Sequence, residues 1–177
     1  QRQMCIRDRN LAKQNEGLTN ENPSVGCVIV KDNKILSLSK TSISGRPHAE
    51  ANAIRLANTN DLKGSTIYVT LEPCTHHGKT PPCTDLIIKK KISKIVYGSN
   101  DIDERTSNKL KKVLRKYNIV TKQVKMKEIT DFYKSYFYIR KNKLPYVSAK
   151  LACSNDYYIY SKKNKYITNE LSRKTSH

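Results

Sequence analysis

Short apolar runs that alternate with helical patterns constrain the fold of this 177-residue chain more than any other feature. Because β-branched and aromatic residues favour strands, these runs predict strands at residues 24–30, 34–39, 66–71, 94–98 and 119–124. The first two strands are joined by a short turn and form a hairpin. Helices are predicted at residues 47–58, 84–91, 106–117 and 129–137. The order after the hairpin, strand–helix–strand–helix–strand, is that of an α/β fold in which helical crossovers join parallel strands.

The two ends of the chain differ from this central region. Residues 1–9 show no clear periodicity, and we expect them to be disordered or foreign to the native protein. A short helix is predicted at residues 10–16, and residues 10–144 form one domain. The segment 145–177 predicts strands at 145–152 and 157–160 and the opening of a helix at 168–177, which is too little to bury a core. We interpret this segment as the truncated start of a second α/β domain.

The formal net charge of +19 invites a nucleic-acid interpretation, which the distribution of the charge weakens. Residues 1–90 hold 13 Lys and Arg against 8 Asp and Glu, whereas residues 91–177 hold 21 against 7. The excess therefore lies mostly outside the segments that carry the chemistry described below. We expect a solvated basic surface first, attraction of a phosphate-bearing substrate second, and RNA binding third.

The sequence predicts a cytoplasmic protein with no membrane partner. No stretch approaches the roughly 18 apolar residues of a membrane span, and no signal peptide is recognisable. Five cysteines without an export signal disfavour a disulfide framework. Cys27 lies in an apolar run and is interpreted as buried. Cys74 and Cys83 stand in a loop rich in Pro, His and Gly, where a metal site is the better interpretation.

Two short segments carry the chemistry: PHAE at residues 47–50 and EPCTHHGKTPPC at residues 72–83. The imidazole of His48 and the thiols of Cys74 and Cys83 can occupy three positions of a tetrahedral zinc ion. The fourth position is then left for water, as in catalytic zinc sites. Glu50 lies two residues from His48 and can move protons without being a ligand. This combination is typical of zinc-dependent nucleobase deaminases, in which a zinc-activated water attacks the ring carbon that bears an amine.

The predicted fold lets these two segments meet. Helical crossovers place helix N-termini at one end of the sheet, where ligands bind in open α/β folds. His48 and Glu50 belong to the first turn of one predicted helix, and Cys83 begins the next. In a helix interior two residues at i and i+2 face nearly opposite ways. In the first turn, with the pocket beyond the helix end, both side chains can reach it.

The insert between the two cysteines predicts a phosphate-binding function. The cysteines are nine positions apart, whereas the general deaminase signature places them three apart. Lys79, the Thr80 hydroxyl and an imidazole from His76 or His77 can each donate to a phosphate. Either histidine could instead bind zinc, although three ligands are already present. Adjacent residues rarely both point inward, so one imidazole at most is expected in the pocket.

The chain resembles the bifunctional deaminase–reductases of riboflavin biosynthesis over roughly residues 10–177. The motifs that carry the resemblance are NPSVGCVIV at 22–30, PHAE at 47–50, and YVTLEPC at 68–74 followed by PPC at 81–83. PYVSAK at 145–150 and YIT at 166–168 are similar to the start of the reductase domain. The resemblance implies a three-layer α/β/α cytidine-deaminase-like sandwich with a mixed sheet, followed by a truncated reductase domain.

The resemblance also implies a set of site residues. Zinc would bind to His48, Cys74 and Cys83, and Glu50 would be the proton shuttle. The substrate pocket would be lined by Asn22, His76, Lys79, Thr80 and Asp101. An incomplete NADPH site would include Lys150 and Thr168, with NADPH acting only in the full-length two-domain protein.

The expected reaction is the hydrolytic deamination of 2,5-diamino-6-(5-phosphoribosylamino)pyrimidin-4-one to the 5-aminouracil derivative, without reductase activity. Two alternatives remain from the residues themselves: a tRNA adenosine deaminase or other cytidine-type deaminase, and a zinc-stabilised structural module. Aromatic side chains that we expect to be exposed, Tyr133 and Phe137, would suit a homo-oligomer interface.

Several positions depart from the family pattern. Thr41 stands where the family usually has a histidine, seven positions before the zinc histidine. The segment 101–104 reads DIDE in place of DPNP, which puts contacts from Asp103 in doubt. Residues 154–157 read SNDY in place of SLDG.

Overall fold

A five-stranded mixed sheet forms the centre of the chain. The computed structural model describes residues 2–57, 62–159, 162 and 166–174. The strands are β1 (Gly26–Lys31), β2 (Lys34–Lys40), β3 (Thr66–Leu71), β4 (Lys94–Ser99) and β5 (Val120–Gln123). The helices are α1 (Arg2–Lys13), α2 (Ala49–Leu56), α3 (Cys83–Lys89), α4 (Leu110–Arg115), α5 (Lys127–Phe132), α6 (Lys134–Asn142) and α7 (Glu170–Lys174). The chain divides into two compact units, Gln1–Leu144 and Pro145–His177.

The strand order is β2-β1-β3-β4-β5. β1 is antiparallel to both β2 and β3, whereas β3, β4 and β5 are parallel to one another. The predicted α/β fold with a mixed sheet is therefore confirmed. The parallel half is built from the two helical crossovers that the sequence predicts, through α3 and α4.

Helices cover both faces of the sheet, which gives three layers. On one face, α1 lies so close to Gly26 that an added Cβ would be 1.7 Å from the Asp8 carbonyl oxygen. On the same face α5 lies against Gly98, where a Cβ would be 2.6 Å from Ile129 Cδ1. On the other face α2 packs on β1 and β2 and contacts α3. There the Ser39 hydroxyl donates to the Ala49 carbonyl over 2.5 Å.

A chain of hydrogen bonds ties the α5–α6 junction to the sheet. The Gly26 N–H donates to Thr70 Oγ1 (3.1 Å), and Thr70 Oγ1 lies 2.6 Å from Tyr133 Oη. Tyr133 Oη donates in turn to the Ser24 carbonyl (2.9 Å), so the Thr70 hydroxyl is the donor to Tyr133. Tyr133 is only 1% exposed, and its ring packs against Phe132 and Phe137. The expectation that Tyr133 is exposed is therefore wrong, because its hydroxyl has a buried partner network.

The first helix begins earlier than the sequence predicts. It spans Arg2–Lys13 in place of residues 10–16, so the described part of residues 1–9 is helical and not disordered. Tertiary packing explains the difference: Cys5, Asp8 and Ala12 are buried against the sheet with helical spacing. The polar Asp8 at the centre of this stripe hides the amphipathic pattern.

Three further predictions differ from the structure. The helix predicted at 106–117 begins only at Leu110, because residues 100–109 form a loop held by side-chain contacts. The single helix predicted over 129–137 is two helices, which meet at Tyr133. No described residue of 145–159 belongs to a strand, since an isolated extended segment has no ladder partner. Residues 58 and 160, at the ends of two predicted elements, lie outside the described residues.

The unit Pro145–His177 contains one helix among its described residues, α7, within the predicted helical range 168–177. None of the described helices is long and apolar enough to cross a membrane.

Candidate active site

The structure brings His48, Cys74 and Cys83 together at one end of the sheet. His48 is the N-cap residue of α2, Cys83 is the first residue of α3, and Cys74 follows β3 in the loop 72–82. His48 Nδ1 lies 3.5 Å from Cys83 Sγ and 3.7 Å from Cys74 Sγ. The backbone N–H of Cys83 also donates to Cys74 Sγ over 3.2 Å. Two helix N-termini therefore converge on the cluster, as the crossover topology predicts.

The three ligand atoms fit a zinc ion. Zn–N of about 2.0 Å and Zn–S of about 2.3 Å at tetrahedral angles give an N···S separation of about 3.5 Å. The two observed N···S distances match this value, and all three atoms lie within 4.8 Å of one another. Within the described part of the chain no fourth His, Cys or carboxylate joins the cluster. Three protein ligands are the usual complement of a catalytic zinc site.

The acid–base state of the cluster favours metal binding. A hydrogen bond from the Cys83 thiol lowers the pKa of Cys74 to about 4, with further help from His48. The same hydrogen bond and burial raise the pKa of Cys83 well above its usual range. The two thiols therefore differ in acidity, with Cys74 the more readily ionised, and a bound cation would favour deprotonation of both.

Glu50 lies in the same cleft as the cluster. It is the second residue of α2 and is only 4% exposed. Burial raises the pKa of its carboxyl group, which nearby His48 partly opposes. A buried carboxyl group with a raised pKa is suited to accept and return a proton.

A cleft open to solvent lies beside the cluster. Four of the predicted pocket residues line it: Asn22, His76, Thr80 and Asp101. Lys79 is exposed and is not among the lining residues. His76 faces the cleft, with Nδ1 3.0 Å from Thr106 Oγ1, whereas the His77 side chain is 76% exposed. The structure thus distinguishes the two imidazoles that the sequence left open.

Two of the positions that depart from the family pattern, Thr41 and Asp103, also lie at the cleft. Thr41 lines it, and its hydroxyl accepts a hydrogen bond from the Val25 N–H over 3.0 Å. Asp103 lines it as well and forms an ion pair with Arg105 at 2.5 Å. The Arg105 guanidinium holds the pKa of Asp103 well below its usual range.

Among the lining residues that sequence reasoning missed, five have side chains able to bind a polar substrate: Arg46, Glu72, Arg105, Tyr136 and Arg140. Arg46 directly precedes PHAE and Glu72 opens the second segment, so proximity to the motifs was an available signal. The Arg46 guanidinium donates to Thr80 Oγ1 over 2.8 Å. Tyr136 and Arg140 come from α6, where the Arg140 guanidinium lies 5.8 Å from the Tyr136 ring centroid. No local pattern connects α6 with the zinc segments.

Lys150 and Thr168 lie in the unit Pro145–His177 and remain a prediction. The only element among the described residues of that unit is α7, which contains neither of them.

A tetrahedral His/Cys/Cys cluster at two helix N-termini, with a buried glutamate two residues after the histidine, defines the class of zinc-dependent deaminases. The model of the cytidine and deoxycytidylate deaminase zinc-binding region matches residues 2–99. The chain is 43% identical over 136 residues to the diaminohydroxyphosphoribosylamino-pyrimidine deaminase of Buchnera aphidicola subsp. Schizaphis graminum, covering 76% of this chain and 92% of that protein. The chain belongs to this zinc-binding deaminase family and, within it, to the deaminases of riboflavin biosynthesis.

Longer relatives share the same region. The riboflavin biosynthesis protein RibD of Actinobacillus pleuropneumoniae is 42% identical over 166 residues, which cover 92% of this chain and 44% of that protein. A crystal structure of a diaminohydroxyphosphoribosylaminopyrimidine deaminase/5-amino-6-(5-phosphoribosylamino)uracil reductase from Thermotoga maritima matches with a TM-score of 0.86 at 36% identity. That match covers 98% of this chain and 51% of the other. The chain thus spans about half the length of these two relatives.

Replacing Cys83 with serine is expected to weaken zinc binding at least about 100-fold, more than the loss of an outer-shell partner costs. A serine hydroxyl does not ionise near neutral pH and is a poor zinc ligand. Metal content after dialysis against a weak chelator measures the effect. The matched control is Cys153→Ser, because Cys153 is exposed and lies outside the cluster. Equal zinc retention by both variants would remove Cys83 from the ligand set.

Proposed function

We propose that the chain catalyses the hydrolytic deamination of 2,5-diamino-6-(5-phosphoribosylamino)pyrimidin-4-one to the corresponding 5-aminouracil derivative. The observation that carries the proposal is the juxtaposition of Glu50 and the His48/Cys74/Cys83 cluster, of which Glu50, His48 and Cys74 line one cleft. The names of the relatives, which include the same deaminase activity, support the choice of substrate.

His48, Cys74 and Cys83 would hold the zinc ion. When bound, zinc lowers the pKa of a water in its open position and so supplies a nucleophile near neutral pH. Glu50 would take a proton from that water and deliver protons to the ring nitrogen and to the departing amine. Burial disfavours the ionised form and so raises the pKa of this carboxyl group, which makes it a stronger proton acceptor.

The cleft offers groups for each part of the substrate. Arg46, Arg105 and Arg140 line the cleft, Arg105 is paired with Asp103, and the Thr80 hydroxyl lies beside Arg46. Guanidinium groups and hydroxyls are the donors that phosphate prefers. We propose that these groups and Lys79 hold the 5′-phosphate.

The remaining polar lining would select the base and the sugar. The Asn22 side chain already donates to the Gly45 carbonyl over 2.9 Å, which leaves its oxygen free to accept from an amino group of the pyrimidine. His76 and Asp101 would bind the ribosyl hydroxyls. A polar pocket of this kind rejects analogues that leave its buried groups unpaired.

A macromolecular substrate is the less supported candidate. The insert between the cysteines contributes His76, Gly78 and Thr80 to the cleft wall, which encloses a small molecule. Three ligands without a fourth in the described residues also argue against a purely structural zinc module. A 5-amino-6-(5-phosphoribosylamino)uracil reductase activity is named for the Thermotoga maritima relative, and we propose that these 177 residues lack it.

Ammonia release from the zinc-loaded chain tests the proposal. The diaminopyrimidinone phosphate, cytidine, and an adenosine-bearing tRNA are compared at equal concentration, and NADPH oxidation is followed separately. We expect turnover of the first substrate alone, without NADPH oxidation. Preferential release from tRNA, with strong dependence on salt, would overturn the substrate assignment. Reductase turnover by these 177 residues would contradict the proposal that they lack this activity.

A further inference from the structure

The loop formed by residues 100–109 is held in place by one carboxylate, that of Glu72. Glu72 Oε2 accepts hydrogen bonds from the backbone N–H of Asp101 (3.3 Å) and of Asn108 (3.1 Å). Glu72 Oε1 accepts from the N–H of Leu110 (3.2 Å), the first residue of α4. These contacts fix both ends of the loop to the residue that follows β3.

The same loop supplies a wall of the cleft. Asp101, Asp103 and Arg105 line it, and all three lie between the two ends that Glu72 holds. The loop also contacts the insert between the cysteines. Thr106 Oγ1 lies 3.0 Å from His76 Nδ1, and the Thr75 hydroxyl donates to the Arg105 carbonyl over 3.2 Å.

Glu72 is well suited to hold this loop. It is only 3% exposed, and the hydrogen bond to Leu110 is buried. An ionised carboxylate is an acceptor only and can satisfy several N–H groups at once, and such charge-assisted bonds are roughly twice as strong as neutral ones. Glu72 also lies two residues before Cys74, so the carboxylate links the position of the loop to that of the metal cluster.

We propose that Glu72 is a positioning residue for substrate binding, which sets the loop 100–109 against the cleft through three backbone amides. The expected effect on KM rests on the proposed function, whereas the expected effect on the position of the loop does not. Without the carboxylate, the N–H groups of Asp101, Asn108 and Leu110 lose their acceptor, and the loop samples other conformations. Since the loop contributes to substrate binding and not to proton transfer, the effect falls on KM.

The variants Glu72→Gln and Glu72→Ala test the proposal. Glutamine keeps the size of the side chain, but its NH2 group cannot accept, so part of the amide set loses its partner. In Glu72→Gln we expect KM to rise about tenfold with kcat within about threefold. Glu72→Ala should give a larger increase in KM. Asp131→Asn is the matched control, because Asp131 pairs with Lys127 on the surface of α5.

Amide hydrogen exchange provides the readout that does not depend on activity. In both variants we expect exchange at Asp101, Asn108 and Leu110 to accelerate about tenfold or more, while amides of β4 keep their protection. Zinc content should equal that of the unchanged chain. Unchanged exchange in the loop, or equal loss of protection throughout the sheet, would overturn the positioning role. If the unchanged chain deaminates none of the substrates, the proposed function fails. The hydrogen-exchange data alone then test whether Glu72 holds the loop 100–109.

Discussion

Replacing Glu50 with glutamine is expected to lower kcat for deamination by roughly a thousandfold, within the range that general acid–base catalysis contributes. The glutamine amide keeps the shape of the side chain but can neither accept nor return a proton. Glu50 lies in the cleft with the metal cluster and is buried, so solvent cannot readily replace it. Zinc content should be retained, since the ligand atoms are those of His48, Cys74 and Cys83.

Ammonia release under saturating substrate and metal analysis of the same preparation measure the two halves of this prediction. Glu128→Gln is the matched control, because Glu128 is exposed in the first turn of α5. A Glu50→Gln variant with kcat within tenfold of the unchanged chain would remove Glu50 from proton transfer. A variant that also loses its zinc would show that Glu50 supports the metal site.

Stability is expected to fall by several kcal/mol between about pH 4 and pH 8 because of Asp8, at up to roughly 1.4 kcal/mol per pH unit. Asp8 lies on the face of α1 that packs on β1 and is fully buried. Neither of its carboxylate oxygens has a hydrogen-bond partner among the described residues. Burial therefore raises the pKa of Asp8 to about 8, against the partly opposing effect of Arg9. In this pH window the folded chain holds a proton that the unfolded chain releases, so increasing pH favours unfolding.

Urea denaturation at pH 5, 6.5 and 8 tests this prediction, with Asp8→Ala as the comparison. Other groups titrate in the same range, so the quantity of interest is the difference in unfolding free energy between the two chains. From pH 5 to pH 8 we expect the difference in unfolding free energy to shift by several kcal/mol in favour of Asp8→Ala, which lacks the buried carboxyl group. A difference that does not change with pH would contradict the raised pKa of Asp8.

The central sheet and the metal cluster were predictable for the same reason. Segments such as Thr66–Leu71 are rich in β-branched and aromatic residues, which favour strands. Helical crossovers between parallel strands then restrict the topology to few arrangements. This topology alone places the helix N-termini that carry His48 and Cys83 at the same end of the sheet. A motif whose residues fall on such elements is therefore interpretable from the sequence.

The remaining walls of the cleft were not predictable, because they depend on packing. Arg140 lines the cleft from α6, whose start is fixed by the hydrogen bonds of the Tyr133 hydroxyl with Thr70 and Ser24. Arg105 reaches it through an irregular loop that Glu72 holds. Tertiary packing also determines where α1 begins, because the buried Asp8 interrupts the apolar pattern of this helix in the sequence.

The hydrogen-bond chain from Gly26 to Ser24 has a consequence for substrate exchange. Ser24 lies between Pro23 and Val25, which form one wall of the cleft, while Tyr133 begins the helix that supplies Tyr136 to another. Separating these walls would break bonds of a tyrosine hydroxyl that is shielded from water. Residues 77–81 of the insert, in contrast, are exposed. We therefore expect substrate to arrive and product to leave past the insert, while the part of the cleft beside Tyr133 keeps its position.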